Sequence, residues 1–397
     1  MTFSGTVPTD RASRTDWVAI AAELVPAFAA RAAGHDADDT FVSENYADLR
    51  RRRVFSAAVP AELGGGGASH AELCALVQTL ARHCGSTALS LAMHTHQVAI
   101  AAFRWRHEAG AAEALLRRVA AEELVLVSSG GSDWLAGSGH AERVDGGYQV
   151  SGRKVFASGV PLGDLFMTMA IHDDPAAGPT VLHFAIPLDA PGIAVQDTWH
   201  TLGMRGTGSH DVVLDRVFVP DAAIGLRRPP GRWSPAWHVI AAHALPLILS
   251  VYVGVAEGAR ALSLRLAARR RHDPGVQDLV GRMETELATA RMGLRHMVDA
   301  TATGCMGLET TNDVLTGRAV AGAAAIRAVE AAMEVAGGAG FYRDRHLERL
   351  FRDVQGARYH PTRDAAQRRY AGRLAFGLDV DDDPGDLRGD SRKESTT

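Results

Sequence analysis

The feature that most constrains this chain is a change of periodicity made twice. Apolar residues recur at helical spacing from about 16 to 126, in short strand-like runs from 127 to 224, and at helical spacing again from about 233. In the first block, "DWVAIAAELVPAFAARAA" sets Val18, Ala21, Leu24, Val25 and Phe28 along one face. Ser69, followed by Glu72, marks a capped helix start. Gly64 to Gly67 between them predict a loop. In the second block, "HAERVDGGYQVSGRKVFASG" reads as two strands about Asp145-Gly146-Gly147. "DLFMTMAIH", "TVLHFAIPL" and "HDVVLDRVFVP" supply further strands rich in Val, Phe and Thr. The third block predicts long helices near 237–272, 275–304 and 309–336. An α+β chain is expected, with regions 1–126, 127–226 and 227–379 and a disordered tail at 380–397. A sheet module between two helical blocks leaves a cleft, the usual place for a cofactor.

Composition excludes several classes. A net charge of -4 over 397 residues gives no reason to expect nucleic acid or an acidic membrane surface. Cys74, Cys84 and Cys305 lack both a disulfide framework and metal spacing, so no metal is expected. The polar start "MTFSGTVPTDRAS" has no secretory core, which predicts a cytoplasmic protein. The apolar run at 239–259 is broken by His243, Pro246 and Glu257. It reads as the centre of a helical bundle, not as a membrane span.

Five landmarks then occur in one order: "VPAELGGGG" (59–67), "SSGGSDWLAGSG" (128–139), "GYQVSGRKVFASG" (147–159), "LGMRGTGSHDVVLDRVFVP" (202–220) and "EVAGGAGFYRDRHLERLFRDV" (334–354). Together they resemble the acyl-CoA dehydrogenase superfamily over about residues 16–378. The resemblance implies an N-terminal α-helical domain, a middle β-barrel or sandwich and a C-terminal four-helix bundle, assembled as a homotetramer. It implies a flavin, FAD or FMN. Ser128, Ser129 and Ser132 would meet the polar edge of the ring, Phe156 would pack on it, and Ser158 would stand near N5. Gly337, Gly338 and Gly340 resemble the turn that receives the adenine–diphosphate end, with Arg270 or Arg271 near the diphosphate.

The pattern breaks at the base. A dehydrogenase of this family needs a carboxylate to take the α-proton of an acyl-CoA. Its usual loop aligns with Tyr359-His360-Pro361-Thr362, where His360 takes the Glu place. The alternative position falls near Ala244, which is not acidic. These departures resemble the class D flavin-dependent monooxygenases, among them dibenzothiophene monooxygenase and the amino-sugar nitrososynthases. There, reduced flavin and O2 give a C4a-hydroperoxide, which His360 would hold and help protonate, its imidazole titrating near neutrality. Ser158 would assist. The expected partners are O2, a small-molecule substrate (an acyl-CoA among the candidates) and a separate flavin reductase. His94, His96, Trp134 and His243 are the candidates for the substrate pocket. An acyl-CoA dehydrogenase with an atypical base is the alternative.

Overall fold

The alternation of helical and strand spacing builds three blocks in chain order, and the first and third pack on each other through α-helices. The computed structural model describes residues 15–381 except 109, 111, 132 and 177. Ser132 and the tail from 382 therefore lie outside the described residues. The N-terminal helices are α1 (Trp17–Ala37), α2 (Ser43–Arg51), α3 (His70–Ala81), α4 (Gly85–His107) and α5 (Glu113–Glu122). The Ser69 hydroxyl accepts from the Glu72 N–H while the Glu72 carboxylate accepts from the Ser69 N–H, so the expected capping box forms.

Eight strands follow: β1 (Leu126–Ser128), β2 (His140–Val144), β3 (Gly147–Lys154), β4 (Leu165–Asp174), β5 (Gly178–Pro187), β6 (Ile193–Gln196), β7 (Asp211–Pro220) and β8 (Ile224–Arg228). They form one sheet in the order β6-β7-β3-β2-β4-β5-β8, with β1 parallel to β4. The Asp145-Gly146 turn closes the β2–β3 hairpin, and Gly146 takes the left-handed φ of 72° that such a turn needs. The expected middle module is thus a single sheet between helical blocks, running a few residues past 226.

The C-terminal block comprises α6 (Pro235–Leu266), α7 (Pro274–Ala302), α8 (Leu308–Ala336), α9 (Leu347–Val354) and α10 (Asp364–Ala375). Helix α6 is the apolar run noted in the sequence. Within its most hydrophobic window 89% of residues are buried, which makes it a core helix. Its Pro246 has no N–H to donate to the Ala242 carbonyl one turn earlier. Thr301 of α7 supplies that donor at 2.8 Å, so the bundle itself repairs the proline gap. Gly254 and Gly258 let α3 approach: a Cβ at 254 would lie 2.5 Å from the Gln78 carbonyl oxygen, and one at 258 would lie 2.3 Å from that of Arg82.

Candidate active site

The stretch from α9 to α10 carries His360. A short 3₁₀ turn over 355–358 ends the helix and leaves residues 359–363 as a loop. The His360 ring is half-buried, and its Nε2 lies 2.7 Å from the Tyr252 hydroxyl on α6. Arg318 of α8, itself buried, donates to the His360 carbonyl at 2.9 Å and to that of Ala357 at 3.4 Å, and pairs with Asp364 at 2.5 Å. Burial first, and the Arg318 charge second, push the imidazole down to about 4. At neutral pH His360 is therefore uncharged.

The sheet supplies a second polar row. Ser158 meets the Ser209 hydroxyl at 2.7 Å. Ser209 meets that of Thr207 at 2.7 Å, and Thr207 donates to the Met204 carbonyl at 2.9 Å. The Met204 N–H donates to Asp353 of α9 at 2.6 Å, so the row ends on the helix that leads to His360. Burial raises the Asp353 carboxyl to about 6. That carboxylate is engaged in docking α9 on the 202–204 turn, where a Cβ at Gly203 would lie 2.4 Å from Arg352 backbone.

Beside this row stands the loop after β1. The Ser129 hydroxyl meets that of Thr168 at 2.7 Å, whereas the buried Ser128 hydroxyl has no partner among the described residues. Phe156 is held at φ 58° with 45% of its surface exposed, next to Gly131 and Trp199. Two buried cations fix the loop. Lys154 donates to the Ser138 carbonyl at 2.6 Å and hydroxyl at 2.8 Å. Arg228 donates to the Trp134 and Leu135 carbonyls at 3.0 and 2.7 Å. A buried hydroxyl without a partner among the described residues, on the same loop as the Gly131 that meets the exposed Phe156 ring, fits an isoalloxazine edge with complementary polar atoms.

At the far end of the bundle, Arg270 and the glycine turn come together. Arg270 donates to the Val335 and Ala336 carbonyls at 2.7 and 3.1 Å, and a Cβ at Gly337 would lie 3.5 Å from its guanidinium. Gly340 is buried against Leu347, while Gly338 has open space around it. Arg271 turns outward to His272.

The pocket candidates separate. His94 is only 1% exposed. Its Nδ1 accepts from the Leu126 N–H at 2.9 Å and its Nε2 donates to the Phe55 carbonyl at 2.8 Å. This corrects the expectation for His94, because a ring stitching α4 to β1 has no nitrogen left for a substrate. His96 is buried on Gln97 and the Ala92 carbonyl, and His243 bonds the Val239 carbonyl and packs against His70 and Phe103. Trp134 lies edge-on to Trp237 at 4.6 Å and Trp233 at 5.4 Å. Among the described residues no cluster of three or more metal-ligating side chains exists.

The sequence matches the family models described as "Acyl-CoA dehydrogenase, N-terminal domain" over residues 11–123, "middle domain" over 128–217 and "C-terminal domain" over 247–364. The chain belongs to the acyl-CoA dehydrogenase family. It is 32% identical over 387 residues to an amino sugar nitrososynthase of Streptomyces rubradiris, covering 92% of this chain and 90% of that protein. It is 28% identical over 375 residues to a putative acyl-CoA dehydrogenase of Bacillus subtilis, covering 88% and 94%. Among solved structures, KijD3 in complex with FMN and dTDP-3-amino-2,3,6-trideoxy-4-keto-3-methyl-D-glucose superposes with a TM-score of 0.84 at 28% identity, covering 94% and 97%. The protein is a flavin-dependent oxidoreductase of acyl-CoA dehydrogenase fold.

Within this acyl-CoA dehydrogenase architecture, several residues escaped the sequence reading. Tyr252, Arg318, Ser209, Lys154 and Trp237, whose buried indole N–H has no partner among the described residues, line or brace the same region. Two of them carried a signal. Tyr252 is a single phenol in the aliphatic run "PLILSVYVGV", and Arg318 is a single charge in "TGRAVAGAAAI". The only carboxylate inside α6 near this level, Glu257, is held by Arg82 at 2.7 Å and Arg291 at 2.8 Å. It serves as a clasp between helices.

Proposed function

We propose that the chain is a flavin-dependent monooxygenase that takes reduced FMN or FAD and O2, with His360 and Ser158 facing the reacting atoms. The observation that carries this reading is the identity of the group in the base loop. A neutral imidazole bonded to a phenol stands where dehydrogenation needs a carboxylate. Ser128, Ser129 and Phe156 would hold the ring, and bound reduced flavin would supply the electrons that activate O2. Ser158, backed by Ser209 and Thr207, offers a hydroxyl row along which a proton can be held. His360 is an uncharged donor, able to hydrogen-bond an oxygen atom without leaving a buried charge.

The likeness to the amino sugar nitrososynthase makes an amine the first substrate class to try. His243 and Trp134 remain the pocket candidates, since His96, like His94, has both ring nitrogens engaged, on the Ala92 carbonyl and the Gln97 side chain. A homotetramer is supported by the exposed Phe341 (86%), Tyr342 (66%) and Phe376 (84%), two of them beside the glycine turn and Arg270. Because the described strands form one sheet with helices before and after it, the electrons are assigned to a separate reductase. The free Cys74 and Cys84 suit a cytoplasmic setting.

The test compares flavin states. Reduced flavin should bind more tightly than oxidised flavin, and protein plus a flavin reductase, NAD(P)H and O2 should oxygenate an amine panel. Anaerobic bleaching of bound oxidised flavin by an acyl-CoA would overturn the proposal in favour of dehydrogenation.

A further inference from the structure

We propose that Tyr252 is a positioning residue that fixes the proton of His360 on Nδ1, so that the nitrogen turned away from α6 is the donor. Tyr252 is 0% exposed, and its hydroxyl has one hydrogen-bond partner among the described residues, His360 Nε2 at 2.7 Å. A buried O–H left without an acceptor costs about 1–3 kcal/mol, so the phenol donates to that nitrogen. A neutral imidazole that accepts at Nε2 carries its proton on Nδ1. The alternative is a phenolate beside an imidazolium. Burial opposes it from both sides, holding the phenol far above its ordinary value and the imidazole below its own.

The loop is built around this contact. A Cβ at Gly356 would lie 2.7 Å from the Tyr252 hydroxyl oxygen, so the backbone passes directly over it. Arg318 holds the main chain at Ala357 and His360 from the other side. With its backbone clamped by a guanidinium and its ring by a phenol, the imidazole has one orientation and one tautomer. Nδ1 has no hydrogen-bond partner among the described residues, while the ring remains half-buried. That leaves an N–H aimed by the protein and available to an acceptor. The proposal rests on the monooxygenase reading for its purpose, but its physical content concerns this chain alone.

The test is ¹⁵N NMR of the full-length protein labelled at histidine, with the His360 ring assigned by its loss in His360→Asn. The parent should show a protonated Nδ1 and an accepting Nε2. Tyr252→Phe, which removes only the hydroxyl, should shift the ring toward the Nε2–H form. It should also raise the share of consumed O2 released as peroxide when reduced flavin is supplied. A parent already protonated at Nε2, or a pattern unchanged in Tyr252→Phe, would overturn the proposal. If Tyr252→Phe does not fold, His360→Asn against His360→Gln decides. The asparagine amide stands near the Nδ1 position and should retain more product per reduced flavin than glutamine, and the reverse order would overturn it. Failure of the monooxygenase reading is seen separately: His360→Ala would then leave peroxide release unchanged whatever the tautomer.

Discussion

At the scale of single residues, three histidines show how environment separates roles that sequence leaves equal. His94 and His96 are neighbours in "MHTHQ", yet His94 bonds two backbone groups from different segments and His360 bonds a side chain from a distant helix. No spacing rule could reveal the first role, because the Phe55 carbonyl and the Leu126 N–H carry no side-chain signature. The second was legible as a place, since His360 occupies the loop position of a base. Its partner Tyr252, 108 residues earlier, was not. His94→Ala should destabilise the fold by about 3 kcal/mol, through a cavity and two orphaned backbone groups. Urea unfolding measures this. Parent-like stability with lost substrate binding would return His94 to the pocket.

At the scale of elements, α6 organises the molecule. The sequence showed its length and apolarity, and Pro246 inside it looked like an interruption. The helix continues because Thr301 answers the Ala242 carbonyl. Its glycines set the approach to α3, and Gly254→Ala would drive a Cβ to 2.5 Å from the Gln78 carbonyl oxygen. A backbone shift of α3 follows, with an expected loss of about 1–3 kcal/mol, read as a lower melting temperature. An unchanged melting temperature would mean the two helices are packed less closely than described. The choice between Arg270 and Arg271 also belongs here. The chain leaves α6 through a 3₁₀ turn at 268–270, which resets the helical phase and sends only Arg270 to the glycine turn. Periodicity read from sequence cannot count across such a break.

At the scale of the whole molecule, the three-part order and the five landmarks were legible in the sequence because each rests on local periodicity or turn chemistry. What joins the parts was not, since the row from Ser158 to Asp353 and the clasp at Glu257 are long-range. The buried histidines give the assembled fold a pH signature. Burial lowers His70, His94, His96 and His360 to about 4 and His183 to about 3. A histidine near 6.5 in the unfolded chain takes up protons before its folded counterpart. Stability is therefore fully present above pH ~6.5 and is lost as pH falls toward 4. His94 and His96 would each contribute about 3 kcal/mol to that loss by pH 4. Asp353, raised to about 6, acts with the opposite sign over the same window, but as one group against several. Melting temperature should fall on acidification through this range, and a flat profile would contradict the burial of these rings.

The central claim is that an imidazole, not a carboxylate, faces the flavin of this acyl-CoA dehydrogenase-family protein and serves oxygen chemistry. It is tested most directly by mixing protein loaded with reduced flavin with O2, in the absence of substrate, while following O2 uptake and peroxide release together. Peroxide release should lag uptake in the parent and keep pace with it in His360→Ala. Simultaneous release in both proteins would contradict the account.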